Sequence, residues 1–245
     1  MQIKTRFLIV GTQRTGSTFV ASTLSGHSDI TCGYEWTRTV SFFKKIQVLS
    51  NGLQGQFEKL PPPHSEYMLA LESNYSALGF RYLFSSSPFW VVDPSFSLSR
   101  YNERLSAVIE FIIARPDIHI IHVVRDNDLD WIASMYLAKY TGAYINKSYD
   151  LKGAVNIPIS SAKRRLIAKQ SLTQELRKLS QNNPYLEVSY EDFVSNIDAG
   201  YQNLCKFLHV GNELPLVSTK KQQKRDLSQV IMNYRDVDRL VQSLR

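Results

Sequence analysis

Cysteine and long apolar runs are both scarce in this chain of 245 residues. Its two cysteines, Cys32 and Cys205, are too few for a disulfide framework or for the ligand set of a structural zinc site. No apolar run approaches the roughly 20 residues that span a bilayer, and the run at residues 7–10 is too short for a signal-peptide core. We therefore expect a soluble, cytoplasmic protein without stable membrane insertion.

The composition is otherwise that of a globular protein with a basic surface. A hydrophobic content of 43% suffices for one sizeable core, which predicts a single domain over residues 1–245. The formal net charge of +7 favours anionic ligands. Glycine and aromatic residues are not interleaved in the densest basic runs, 163–165 and 220–225, as they are in RNA-binding modules. We therefore expect no nucleic-acid partner.

Apolar segments with the character of strands alternate with amphipathic segments along the chain. Strands are predicted at residues 6–11, 78–84, 89–92, 118–124 and 186–189. Helices are predicted at residues 18–25, from 102 to 115, at 129–137, within 160–182, at 201–208 and at 230–241. Loops and short helices are expected over residues 27–78. This alternation predicts an α/β fold, a single domain with a central, mainly parallel sheet flanked by helices.

A glycine-containing loop joins the first predicted strand to the first predicted helix. Its sequence, Gly-Thr-Gln-Arg-Thr-Gly-Ser-Thr at residues 11–18, has the frame of a P-loop, and we call it the phosphate loop. Backbone N–H groups and the helix dipole would converge on an anion there, and Gly16 has no Cβ to obstruct its approach. A Walker A loop has lysine after its second glycine, whereas this chain has Ser17 there and Arg14 as the loop cation. The loop is predicted to bind a phosphorylated nucleotide; the alternative is an ordinary strand–turn–helix connection.

A second anion site is predicted where the strand at residues 118–124 ends in Arg125. Ligands collect at the carboxyl ends of parallel strands, so Arg125 is expected to face the same cleft as the phosphate loop. Arginine at this place suits a phosphate rather than a metal ion. The hydroxyl of Ser134, on the following helix, can support the same phosphate. A helix cap or an ion pair of Arg125 with Asp126 or Asp128 is the structural alternative.

These motifs resemble, in order, those of the sulfotransferases that use 3′-phosphoadenosine 5′-phosphosulfate (PAPS). Residues 7–18 resemble the family's 5′-phosphosulfate loop, and residues 123–134 resemble its 3′-phosphate motif. Residues 188–193, Val-Ser-Tyr-Glu-Asp-Phe, resemble its Tyr-Glu-Asp-Leu segment. Residues 227–234 resemble the C-terminal element of bacterial carbohydrate sulfotransferases. The resemblance spans nearly the whole chain.

The resemblance implies transfer of a sulfuryl group from PAPS to a hydroxyl of a carbohydrate or glycolipid, with 3′,5′-bisphosphoadenosine (PAP) as product and without a metal. It places Arg125 and Ser134 on the 3′-phosphate. It implies that Arg14, in a catalytic as well as a binding role, holds the 5′-phosphosulfate together with the loop residues Thr15, Gly16, Ser17 and Thr18. The family's Arg-Lys-Gly clamp is absent, and Lys221, within the basic run at 220–225, stands near its place.

A carboxylate is the expected general base. Residues 27–36 resemble the segment after the first helix in bacterial carbohydrate sulfotransferases, where a glutamate is the base, and this assigns the role to Glu35. Asp93 is the alternative. His119 and His122 lie in a predicted strand and are interpreted as structural.

Two other classes of protein share parts of this pattern. One is a P-loop kinase or NTPase, which the missing Walker lysine and the strand ending in Arg125 disfavour. The other is a non-catalytic nucleotide-binding protein of the same fold. A comparison of PAP binding with ATP-Mg²⁺ binding distinguishes a sulfotransferase from a kinase or NTPase. Turnover of PAPS distinguishes it from a non-catalytic protein.

Overall fold

The computed structural model describes residues 5–33, 76–84, 106, 109–110, 112–142, 153–213 and 226–245. Its five strands form one sheet in the order β2-β3-β1-β4-β5, and every neighbouring pair is parallel. The strands are β1 (Thr5–Thr12), β2 (Ile30–Gly33), β3 (Ala77–Phe84), β4 (Ile118–Val124) and β5 (Tyr185–Ser189). The helices whose full extent is described are α1 (Ser17–Leu24), α2 (Asp128–Thr141), α3 (Ile159–Arg177), α4 (Tyr190–Ser195), α5 (Ile197–Phe207), α6 (Leu227–Val230) and α7 (Tyr234–Ser243), with a 3-10 turn at Lys178–Gln181.

Strand β1 is the centre of the sheet and carries the phosphate loop at its end. Phe7 and Ile9 pack on one side against α1 and α5, while Leu8 and Val10 are buried on the other side. A strand that is covered on both faces has a continuous apolar sequence, as in parallel sheets generally. The four successive apolar residues of β1 therefore follow from its central position.

Helices cover both faces of the sheet. On one face α1 and α5 share a core with the strands, closed by Phe193 of α4. On the other face α2, α3 and α7 pack around the fully buried ring of Trp131, and α3 contacts β1 and β4. The prediction of a parallel sheet flanked by helices is confirmed. Of the described helices, none combines the length and apolarity that crossing a membrane requires.

Two predictions about local structure were wrong. Residues 30–33 form strand β2 rather than a loop, because they pair in parallel with β3 from Ile30–Ala77 to Gly33–Phe80. The predicted last helix is divided into α6 and α7, because Ile231 leaves the helix to form a parallel bridge with Val155. The break is held by Asn233, whose side chain bonds both the N–H and the carbonyl of Ile157 at 2.9 and 2.8 Å.

The remaining predicted elements are found or lie outside the described residues. Helix α4 was not predicted; the other described strands and helices agree with their predicted places to within a few residues. Of the helix predicted from residue 102, the described positions 106, 109, 110, 112 and 113 are helical. The strand predicted at residues 89–92 lies outside the described residues.

Candidate active site

The phosphate loop turns sharply at two positions of positive φ. Arg14 has φ 66° and Gly16 has φ 87°, a conformation that glycine adopts without cost and other residues rarely adopt. A Cβ on Gly16 would lie 2.1 Å from the ring of Tyr190. The absence of a side chain on Gly16 therefore leaves room for that ring as well as for an anion. A Cβ on Gly11 would likewise lie 2.6 Å from the carbonyl oxygen of Val123.

Hydrogen bonds hold the loop in this shape. The Thr15 hydroxyl donates to the carbonyl of Thr12 at 2.9 Å, and Nε1 of Trp131 donates to the carbonyl of Gln13 at 2.8 Å. Thr15 and Ser17 are each 2% exposed. Since the hydroxyl of Thr15 is used within the loop, its backbone N–H is the group left to contribute to an anion site.

Helix α1 begins within the last residues of the phosphate loop, at Ser17. The first N–H groups of an α-helix have no acceptor within the helix and carry the positive end of its dipole. The hydroxyl of Thr18 lies in this first turn and accepts a hydrogen bond from Nη1 of Arg81. Arg81 comes from β3 and is 3% exposed, so a buried positive charge lies against the helix N-terminus.

The two predicted anion motifs meet in the structure. Nε of Arg14 donates to Oγ of Ser134 at 3.2 Å, and Nη1 of Arg125 donates to the carbonyl oxygen of Arg14 at 3.2 Å. The register places Gly11 of β1 beside Val123 of β4, so both motifs leave the same edge of the sheet. Arg14, Ser134 and Arg125 thus form one continuous group.

Two acidic side chains and one ring surround the guanidinium of Arg125. Its Nε lies 3.6 Å from Oε1 of Glu191, its Nη2 lies 4.0 Å from Oδ2 of Asp130, and its Cζ lies 5.0 Å from the centre of the Tyr190 ring. Burial raises the pKa of Tyr190. These ion pairs differ from the expected structural alternative, which named Asp126 and Asp128. Nε of Arg125 is buried and forms no hydrogen bond with any described residue.

Glu191 binds the backbone directly after β4. Its carboxylate accepts the backbone N–H groups of Asp126 and Asn127 at 3.0 and 3.4 Å. Asp126 in turn accepts from the Ser189 hydroxyl at 2.5 Å, while Oδ1 of Asn127 caps α2 by accepting from the N–H of Asp130 at 3.0 Å. The backbone directly after Arg125 is therefore fixed from α4, and the side chain of Asp126 is fixed from β5.

Lys169 of α3 reaches the same turn from the opposite side. Its ammonium bonds the carbonyl oxygen of Arg125 and Oδ1 of Asp128, both at 2.5 Å, and lies 5.3 Å from the ring centre of Trp131. The residue is only 6% exposed. An ammonium buried to this degree requires such partners, and in turn it fixes the carbonyl of Arg125 and so the backbone that bears the Arg125 side chain.

Four residues near the site were not predicted to belong to it: Arg81, Lys169, Tyr190 and Glu191. The last two belong to the Tyr-Glu-Asp-Phe segment, whose resemblance to the family was the available signal. The apolar run of β3 and the polar pattern of α3 gave no such signal for Arg81 and Lys169. Glu35, Asp93 and Lys221, which the sequence analysis assigned to catalysis and cofactor binding, lie outside the described residues.

The buried histidines make structural contacts, in agreement with the interpretation of His122. Nδ1 of His122 lies 2.6 Å from the hydroxyl of Tyr185, which donates to Glu187 at 3.1 Å. Burial lowers the pKa of His122 to about 4. Nδ1 of His27 accepts from the N–H of Asp29 at 2.9 Å, so its Nε2 donates to the carbonyl of Gly211 at 2.7 Å. Burial raises the pKa of the Cys32 thiol to about 12.

Comparison with known proteins identifies the class to which this fold and loop belong. The sequence model of the sulfotransferase family matches residues 6–213, so the chain belongs to that family. No curated protein sequence matches the chain.

Solved sulfotransferases resemble the chain at low identity. The sulfotransferase domain from the curacin biosynthetic pathway has a TM-score of 0.48 at 16% identity, covering 100% of this chain and 98% of its own. A sulfotransferase from Alicyclobacillus acidocaldarius has a TM-score of 0.45 at 16% identity, covering 89% and 86%. A mouse sulfotransferase complexed with PAP has a TM-score of 0.39 at 12% identity, covering 100% and 65%.

Proposed function

We propose that this sulfotransferase moves a sulfuryl group from PAPS to a hydroxyl of a carbohydrate or glycolipid. The observation that carries the proposal is the contact between Arg14 of the phosphate loop and Ser134 of the 3′-phosphate motif, at 3.2 Å. Two anion-binding elements distant in sequence thereby share one edge of the sheet. A nucleotide with separate 5′ and 3′ phosphate groups is the ligand that such a pair suits.

The described residues fit a nucleotide with two separate anionic groups. The first turn of α1 supplies backbone N–H groups and a positive dipole for the 5′ end, with Arg14 and Thr18 beside it. For the 3′-phosphate, Arg125 has a buried Nε that forms no hydrogen bond with the described residues. An anion accepting from that N–H would satisfy the buried donor. It would also compete with Glu191 and Asp130 for the guanidinium.

In the reaction, the acceptor oxygen forms a bond to sulfur while the bond from sulfur to the 5′-phosphate oxygen breaks and PAP leaves. Arg14 and the N-terminus of α1 would stabilise the charge that grows on the sulfonate and leaving phosphate oxygens. The acceptor proton would pass to a carboxylate, for which we propose Glu35, with Asp93 as the alternative. Lys221 remains our proposal for a further cation on the nucleotide.

The test combines binding with turnover. PAP should raise the melting temperature by mass action on the folded state, and ATP-Mg²⁺ should do much less because the loop lacks the Walker lysine. Labelled PAPS offered with a panel of sugars and glycolipids should then yield a sulfated acceptor. Equal stabilisation by ATP-Mg²⁺ would favour a kinase or NTPase. Binding of PAP without transfer to any acceptor would favour a non-catalytic protein.

A further inference from the structure

Arg81 is a buried cation beside the phosphate loop. The proposed function assigns no role to this residue. It lies on β3 opposite Ile9 of β1, is 3% exposed, and donates from Nη1 to the hydroxyl of Thr18. Thr18 is the second residue of α1. The side chain of Arg81 thus crosses from one strand to the first turn of the helix that follows the neighbouring strand.

The direction of this hydrogen bond fixes how the Thr18 hydroxyl is used. A guanidinium only donates, so Oγ1 of Thr18 accepts, and its single proton is left to point away from Arg81. Three other hydroxyls of the α1 region donate to carbonyls of the preceding turn, at 2.9 Å each: Ser22, Thr23 and Ser25. The carbonyl four residues before Thr18 is that of Arg14, which accepts from Arg125 instead.

The position of Thr18 in the loop has a counterpart in Walker A loops. With glycines at 11 and 16, Thr18 stands where the Walker serine or threonine places its hydroxyl on Mg²⁺. In this chain a guanidinium bonds that hydroxyl. The guanidinium is positively charged at every working pH and is held by the sheet.

We propose that Arg81 is a positioning residue whose guanidinium, acting through Thr18, takes the part that Mg²⁺ plays on the hydroxyl of a Walker loop. It holds Oγ1 so that the Thr18 proton is donated to the anion at the 5′ end of the nucleotide, and it adds a fixed positive charge behind that bond. The inference rests on the proposed function. Charge that develops on the leaving phosphate oxygen strengthens the interaction, so Arg81 supports transfer as well as binding.

The experiment measures affinity for PAP and for adenosine 5′-phosphosulfate, together with turnover of PAPS. The variants are Arg81→Met, Arg81→Lys, Thr18→Val, Thr18→Ser and the double variant Arg81→Met/Thr18→Val. Loss of one charge-assisted hydrogen bond should weaken both ligands roughly tenfold or more in Arg81→Met and in Thr18→Val. The double variant should bind about as well as the weaker single variant, because both changes break one interaction. Arg81→Lys should recover part of the loss in affinity and turnover.

Arg6→Met is the matched control. It removes one arginine charge from β1 at the opposite end of the strand, where Arg6 pairs with Asp117 at 3.3 Å. It should leave both affinities near those of the wild type.

Several outcomes overturn the role of Arg81 while leaving the proposed function in place. These are additive losses in the double variant, or a lower melting temperature in Arg81→Met with unchanged affinities. If Arg81→Met does not fold, Thr18→Ser against Thr18→Val decides: the serine must retain affinity and the valine must lose it. A wild-type protein that binds neither PAP nor adenosine 5′-phosphosulfate would overturn the proposed function itself, and the role of Arg81 with it.

Discussion

The ammonium of Lys169 is shared between the carbonyl oxygen of Arg125 and the carboxylate of Asp128, at 2.5 Å from each. This one side chain from α3 therefore ties the end of β4 to the beginning of α2. Because both the charge and its partners are largely buried, removing the ammonium leaves a carboxylate and a carbonyl without their main donor. Both stability and the orientation of Arg125 depend on it.

Lys169→Met should lower the free energy of unfolding by roughly 3 kcal/mol, the cost of leaving a buried charge unpaired. PAP affinity should fall as well, since the Arg125 carbonyl loses its anchor. Urea unfolding and PAP titration measure the two effects. Lys178→Met is the control, because the ion pair of Lys178 with Glu175 is exposed and should change stability by about 0.5 kcal/mol or less. Equal effects of the two substitutions would contradict the role given to Lys169.

Arg125→Ala separates recognition of the 3′-phosphate from support of the loop. If Arg125 binds that phosphate, PAP affinity should weaken by roughly 1.5–3 kcal/mol, as for a charge-assisted hydrogen bond. Adenosine 5′-phosphosulfate, which lacks the 3′-phosphate, should bind almost as before. Arg125 also donates to the carbonyl of Arg14. Equal losses for both ligands would therefore show that its contribution is to the shape of the phosphate loop.

Glu35→Gln tests the assignment of the general base. The amide keeps the size of the side chain but accepts no proton, so turnover should fall by roughly 10²–10⁴ while PAP affinity stays near that of the wild type. Asp93→Asn is measured in parallel as the matched variant. Normal turnover in Glu35→Gln with a collapse in Asp93→Asn would move the base to Asp93. Activity in both would place the base elsewhere.

His122 predicts a pH dependence of stability. Its pKa falls from an ordinary 6.5 to about 4 on folding, chiefly through burial. Between these values the unfolded chain binds a proton that the folded protein does not, so the free energy of unfolding drops as pH falls from 6.5 to 4. The loss attributable to His122 reaches about 3 kcal/mol below pH 4, and none arises well above pH 6.5.

Urea unfolding of wild type and His122→Gln across pH 4–7.5 measures this contribution. Other groups titrate in the same range, among them His119, whose pKa burial also lowers. The difference between the two proteins isolates His122. The variant should lose less stability than the wild type on acidification, and parallel curves would contradict a histidine that is neutral when folded.

The sequence alone allowed prediction of the strands and helices that have a clear local pattern of apolar and polar residues. Strand β1 and its loop could be predicted because four apolar residues lead into two glycines at P-loop spacing. Strand β2 could not, because Ile30–Gly33 is short and is defined by pairing with β3 rather than by its own pattern. The division between α6 and α7 was missed for the same reason, since Ile231 has helical spacing but pairs with the distant Val155.

The same distinction separates the site residues that could be predicted from those that could not. Arg14, Arg125 and Ser134 belong to motifs with recognisable spacing, and the structure brings them together. Arg81 is an isolated cation in an apolar strand, and Lys169 is one of several cations in the polar helix α3, so neither stands out in the sequence. Only the register of β3 against β1 and the packing of α3 beside Trp131 bring them to the loop. Contacts of this kind are set by tertiary structure and leave no local signature.

The central position of β1 has a consequence for folding order. Thr5 pairs with Ala77 and Arg6 with Ile118, so β1 is completed only when two segments far along the chain have joined it. Pairing over such separations is slow, since loop-closure entropy is lost before the contacts form. Until then an apolar strand is exposed to misassembly. We therefore expect the phosphate loop, which follows β1 directly, to be among the later parts of the molecule to take shape.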